Sequence, residues 1–251
     1  MPKTAKIKLS KIDTRAPKSI SKEQAKKEME ILFEEIDELQ NMLYAEHKHS
    51  LLIIIQGMDA SGKDGLVRDV FSHVNPSGVV VHSFKVPTEE ELSHDFLWRI
   101  HSKVPGKGMI HVFNRSQYED VLVTRVHGSC DAKLAAKRMK AINEFEQLLE
   151  QHNNTVVLKL YLHLSKEEQL IRLKERMTIP SKMWKYNAND IVESQSWDQY
   201  MKYYEEVFEQ CNEVPWHIIP ADQNWYKSHT VATLIHKALK GLKMQYPGMK
   251  K

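Results

Sequence analysis

The chain has 251 residues, 41% of them hydrophobic and 27% charged, with a formal net charge of +3. That is the composition of a soluble globular protein with room for one large α/β domain, and the charge is too small to argue by itself for a nucleic-acid partner. No apolar run approaches the roughly 18 residues needed to span a membrane, and the Lys- and Ser-bearing N-terminus lacks the apolar core of a secretory signal.

Residues 1–20 carry Lys3, Lys6, Lys8, Lys11, Arg15 and Lys18 against the single acid Asp13. They read as a flexible, basic tail, or alternatively as an arm touching a polyanion or a neighbouring subunit. Residues 21–251 read as one domain. Ser21 and Gln24 fit a capping box, and Leu32, Ile36, Leu39 and Leu43 extend an amphipathic helix to about His47. Leu51–Gln56 is apolar, β-branched and too short for a helix, so it reads as a buried strand. Val79–Phe84, Met109–Phe113, Thr155–Leu162 and Trp216–Ile219 repeat that pattern. Helical patterns lie between them at Leu66–Val74, Glu89–His101, Gln117–Val126, Asp131–Gln151 and Ser165–Met177, and continue at Asp190–Cys211 and Asn224–Lys243. Strands alternating with helices predict a three-layer α/β/α fold around a five-stranded, mostly parallel sheet. Cys130 and Cys211 lie far apart with no metal or redox spacing, and fit reduced residues of a cytoplasmic protein.

The stretch Gly57-Met58-Asp59-Ala60-Ser61-Gly62-Lys63 fits GxxxxGK and sits between the first strand and a helix, which is the setting a phosphate-binding loop requires. Its backbone N–H groups would form an anion nest at a helix N-terminus, with Lys63 adding a point charge. The candidate phosphate-binding set runs on through Asp64 and Gly65 to Arg68. Asp64 replaces the usual magnesium-holding hydroxyl, and Asp59 sits inside the loop. Two carboxylates beside a phosphate chain repel it unless a divalent cation lies between them, which predicts Mg²⁺ with Asp59 as the leading ligand and Asp64 and Glu119 as further candidates. Asp64 also fits a helix-start acid favoured by the macrodipole.

Ligands of parallel α/β sheets bind beyond the strands' carboxyl ends, which puts Asn114 and Arg115 in the crevice with the loop. Arg115 can grip phosphoryl oxygens as charge spreads over them; the alternative is an arginine tying down a helix start. Lys85 follows the second strand as a candidate acceptor contact or an exposed loop lysine. Arg172, Lys174, Arg176, Lys182 and Lys185 crowd a segment that Pro180 interrupts and that Trp184 and Tyr186 punctuate. That pattern fits a lid over a polyanion at about residues 172–190, or else a solvated charged helix face. Basic residues among aromatics also suit nucleic acid, but the low net charge and the loop argue against it.

The segments GMDASGKDG, SFKVPT, FNRSQYEDVLVTRVH, PSKMWK and WHIIPAD, in this order, resemble the polyphosphate kinase 2 family from about Leu32 to Leu239. The resemblance implies a thymidylate-kinase-like P-loop fold. It implies Mg²⁺-dependent, reversible phosphoryl transfer from inorganic polyphosphate to ADP or AMP, with guanine nucleotides as further acceptors, and a homo-oligomer, dimer or tetramer. Asp59, Lys63 and Arg115 match the family's catalytic motif, and the lid cations Arg172, Arg176, Lys182 and Lys185 with Lys85 and Asn114 would face the nucleotide. FNRSxYEDVLV is similar to the class III subgroup that accepts AMP as well as ADP. Ser194 departs from the family, which often has arginine after the counterpart of Glu193. The rivals are an ATP-dependent nucleoside monophosphate kinase, a GTPase-type switch, for which no NKxD motif is present, and a nucleic-acid-binding protein.

Overall fold

The computed structural model describes residues 7–249. Helix α1 (Lys22–Glu46) leads into β1 (Ser50–Gly57) and α2 (Lys63–Phe71). Strand β2 (Val79–Ser83) is followed by two short helices, α3 (Glu89–Ser93) and α4 (Trp98–His101), then β3 (Ile110–Asn114), a 3₁₀ turn at Gln117–Val121 and α5 (Val123–Val126). Helix α6 (Ala132–Asn153) precedes β4 (Thr155–His163). Then come α7 (Lys166–Thr178), α8 (Pro180–Met183), α9 (Ala188–Gln195), α10 (Trp197–Gln210), β5 (Trp216–Pro220) and α11 (Asn224–Gly241).

The five strands form one sheet in the order β2-β3-β1-β4-β5, and every pairing is parallel rather than mostly so. The central strand β1 is buried along its whole length. Its side chains alternate between two apolar layers. Leu52 and Ile54 pack with residues of α6 and α10, while Leu51, Ile53 and Ile55 pack with residues of α1, α2 and α11. Burying both faces of β1 is what makes its sequence continuously apolar. It also fixes the loop after Gly57 at the middle of the sheet's carboxyl edge, with β3 on one side and β4 on the other.

Three expectations change. Only half of the capping box forms: Ser21 Oγ accepts from the Gln24 N–H, but the Gln24 side chain donates to Glu28 instead. The helical pattern at 89–101 splits in two, because the Asp95 carboxylate accepts the Leu97 N–H and starts a new turn. Residues 7–20 are not a frayed tail. Leu9 is 2% exposed and its carbonyl, with that of Ile12, takes the His163 Nε2–H. Further on, Asp222 N–H donates to Thr14 O, Thr14 Oγ1 donates to Asp222, and Ala16 N–H donates to Gln223. These bonds join positions about 150–210 apart in sequence, so local pattern could not reveal them. The basic residues Lys3 and Lys6 lie outside the described residues.

Candidate active site

The loop from Gly57 to Gly62 leaves β1 and enters α2 with Gly62 at φ +88. That φ is one L side chains rarely adopt, and a Cβ there would come within 2.4 Å of Lys227 Nζ, so a substitution would strain the backbone and displace the lysine's end. Ala60 holds φ +63, a conformation that a non-glycine residue keeps only when its surroundings enforce it. Lys63 is buried and its Nζ donates to the Gly57 and Met58 carbonyls at 2.7 and 3.2 Å. Burial, with Arg115 nearby, drives its pKa down to about 8. Asp64, Gly65 and Arg68 follow on α2 and line the cavity above the loop, together with Asp59, Ala60, Gly62 and Lys63. Met58 points away into the apolar layer, and the Ser61 side chain is buried.

Arg115, at φ +65 beyond the end of β3, holds two carboxylates at once. Its Nη2 is 2.6 Å from Asp59 and its Nη1 is 3.2 Å from Glu119. Burial pushes the Asp59 pKa up, but Lys63 and Arg115 outweigh it and the carboxylate stays ionised. Asn114 donates to Asp64 at 2.7 Å, and Lys185 of the lid segment reaches the same carboxylate at 3.6 Å. The lid cations are therefore paired with acids: Arg176 with Asp190, Lys182 with Glu175 and Lys185 with Asp64. Each of these acids also lines the cavity, so an entering polyanion would meet cations held by weaker, partly exposed partners.

Arg172 does not serve as a free lid cation. Its Nε binds Glu168, its Nη1 donates to the carbonyls of Ala60 and Ser61, and its Nη2 donates to those of Ala221 and Asp222. A guanidinium whose donors are committed to backbone oxygens holds the loop rather than a ligand. Lys227 was missed by sequence reading. It lies one turn into a C-terminal helix, 1% exposed, and nothing in its neighbours marks it as buried.

Two cavities open at this edge. The larger, about 940 Å³, lies over the loop and under the lid segment. The smaller, about 570 Å³, runs between the β2 and β3 ends, α5 and α9, and adds Arg99, Asp120, His127, Glu193 and Tyr200. Burial raises the Asp120 pKa to about 6, with Arg138 opposing. Asp59, Phe84, Lys85, Arg115, Asn187 and Asp190 line both. Lys85 and Arg115 thus stand in the wall between the two spaces, and so does Asp59.

The model of the family described as polyphosphate kinase 2 matches residues 19–247. The chain belongs to that family. An AMP/ADP-polyphosphate phosphotransferase of Meiothermus ruber is 46% identical, over 90% of this chain and 85% of its own. An ADP-polyphosphate phosphotransferase of Rhodopseudomonas palustris is 40% identical over 96% and 89% of the two chains. The crystal structure of polyphosphate kinase 2 from Arthrobacter aurescens superposes with a TM-score of 0.95 at 41% identity, covering 99% of this chain and 90% of that one. Like other members of the polyphosphate kinase 2 family, the protein is a phosphotransferase built on a P-loop kinase fold.

Proposed function

We propose that the protein transfers phosphoryl groups reversibly from inorganic polyphosphate to ADP or AMP. The observation that carries this reading is the shared wall: a cavity over the phosphate loop, lined by lysines and arginines interspersed with carboxylates, meets, at Asp59 and Arg115, a second cavity with a more apolar lining. The larger space takes the polyphosphate chain and the smaller takes the nucleotide, whose base meets Val86, Pro87 and Val123. Adenine is the primary base, with guanine as a further one.

The acceptor is a phosphate whose second pKa is about 6, so it arrives ionised and requires no general base. The site's task is alignment and charge neutralisation. Lys63 meets the donor phosphates at the loop, and Arg115, 36% exposed in its side chain, reaches the transferring group from the wall. Lys85 faces both substrates, while Arg176, Lys182 and Lys185 exchange their carboxylate partners for phosphate.

Among the described residues no three His, Cys, Asp or Glu side chains gather as a metal cage. Mg²⁺ does not need one, because it keeps several waters and binds through one or two carboxylates plus substrate phosphates. Asp59 and Asp64 face one cavity and fit that role, with Glu119 behind Arg115. When bound there, Mg²⁺ supplies charge neutralisation between the carboxylates and the phosphate oxygens. We place the reaction in the cytoplasm, in a homo-oligomer whose size, dimer or tetramer, sedimentation would read.

The test is ATP formation from ADP and long-chain polyphosphate with no other phosphate donor, repeated with AMP. Transfer that requires ATP as donor would overturn the reading in favour of an ordinary nucleoside monophosphate kinase.

A further inference from the structure

The carbonyl oxygens of the phosphate loop are taken, one after another, by side chains. Lys63 Nζ holds Gly57 O and Met58 O. Gln169, 1% exposed on α7, donates to Asp59 O at 3.1 Å. Arg172, one turn further along α7, takes Ala60 O at 3.1 Å and reaches Ser61 O at 3.4 Å. Lys227, on α11, reaches Ser61 O at 3.4 Å and Gly62 O at 3.2 Å, and spends its third hydrogen on Asn224 at 2.9 Å. From Gly57 to Gly62 each carbonyl has a side-chain donor behind it. A peptide whose C=O is pinned on one side presents the following N–H on the other; the Ser61 N–H, turned in to Met58 O at 3.1 Å, is the exception. That arrangement is what an anion nest requires, and here it is imposed from outside the loop.

We propose that Gln169, Arg172 and Lys227 are positioning residues for phosphoryl transfer, forming a collar that holds the loop's backbone so that the N–H groups not bonded within it face the polyphosphate chain. The proposal rests on the reading of the larger cavity as the polyphosphate site. Two of the three residues sit on the helix that continues into the lid, so the collar also ties the loop's shape to that helix. The third is an ammonium in a crowded place. Burial, with Arg172 alongside, pushes the Lys227 pKa down to about 7; Lys63 adds to the depression and Asp69 of α2 opposes it. Glu168 of α7 and Asp222 before α11 are the other charged groups of the same wall, the first engaged by Arg172 and the second by Thr14 and Ser165. A polyanion in the cavity favours the charged ammonium. As pH rises through about 7, free enzyme loses that charge and one of its three donors, so polyphosphate binding weakens while nucleotide binding does not follow it.

The experiment compares Lys227→Met, Lys227→Gln and Gln169→Leu with the wild-type full-length protein. It measures KM for polyphosphate and for ADP separately from about pH 6 to about pH 9. Lys227→Met is expected to raise KM for polyphosphate about tenfold to a hundredfold, leave KM for ADP within about twofold, and remove the wild-type rise of polyphosphate KM near pH 7. Lys227→Gln keeps two donors without a titrating charge. It is expected to recover part of the affinity but not the pH dependence. If Lys227→Met does not fold, Lys227→Gln, which removes the charge and one donor, and Gln169→Leu, which removes only the donor to Asp59 O, carry the decision. A folded Lys227 variant with wild-type polyphosphate KM and an unchanged pH profile, or Gln169→Leu with wild-type polyphosphate KM, overturns the collar. Wild-type protein that transfers nothing from polyphosphate overturns the functional reading instead. The collar is then judged by direct titration of wild type and variants with pyrophosphate, where equal affinities refute it.

Discussion

Replacing Arg115 by methionine perturbs the wall between the two cavities while keeping most of the side chain's bulk. The guanidinium is held at 2.6 Å by Asp59 and at 3.2 Å by Glu119, so it is fixed in place before substrate arrives. Its loss removes a preorganised donor from the transferring group and leaves Asp59 facing phosphate without its nearest cation. A single preorganised donor is worth ~10²–10³ in kcat, and an arginine aimed at a transferring phosphoryl group ~10³–10⁵. The Arg115 side chain is 36% exposed, and solvent screening favours the lower part of that range. The expected loss is about a thousandfold in kcat, equivalent to about 4 kcal/mol of barrier. Arg115→Lys restores the charge without the two-pronged geometry and should recover about tenfold of it. The assay is ATP production from ADP and polyphosphate, read by a luciferase-coupled signal, with melting temperature as the check on folding. A folded Arg115→Met variant that keeps more than about a tenth of wild-type kcat would falsify the role assigned to this residue.

The Lys63 ammonium, with its pKa lowered to about 8, is charged below that pH and neutral above it. Hence in Lys227→Gln, which lacks the step near pH 7, kcat/KM for polyphosphate should still fall on the alkaline side with a midpoint near 8, and a profile in that variant flat up to about pH 10 would contradict the assignment. Excess chelator should abolish transfer and Mg²⁺ should restore it; substantial turnover in chelator removes the metal from the mechanism. Lys159→Met leaves Glu146, fully buried beside it at 2.7 Å, without its counter-charge. It should cost ~3–5 kcal/mol in denaturant unfolding, with Lys159→Met/Glu146→Gln recovering part of that. A midpoint equal to wild type would show that the pair carries no such burden. Leu9→Ala should cost ~2–4 kcal/mol, because the side chain is 2% exposed. An unchanged melting temperature would return residues 7–20 to the status of a loose tail.

The central strands were legible because β1, β3 and β4 are largely buried. Leu51–Gln56 and its four counterparts lie within one residue of the observed strands, since a short, mostly apolar run rich in β-branched and aromatic residues has few other places to go. The loop and the Asn114-Arg115 turn were legible for a related reason: both follow buried strands at the same sheet edge, and the topology brings their side chains together at Asp59 and Asp64. What sequence could not show depends on partners far along the chain. Arg172 looked like one more cation in a basic run, yet its donors go to backbone oxygens of the loop and of residues 221–222. Lys227 carries no local sign of burial, and Leu9 stands with Ile7 and Ile12 in a basic stretch too short and polar to read as core. Asp120 carries no sign in the sequence of its altered titration, since burial in the wall of the second cavity is what raises its pKa to about 6.

The collar behind the loop has a consequence for the order in which the molecule is made. The residues that shape Gly57–Gly62 are supplied at positions 169, 172 and 227, and the segment at 7–20 is fastened to Asp222 and Gln223. A growing chain therefore displays its phosphate loop long before it can hold that loop in shape. Until α11 has left the ribosome, Ser61 O and Gly62 O lack the Lys227 ammonium behind them. The loop's final shape, with an ammonium behind Ser61 and Gly62, is therefore reached only once α11 has been made.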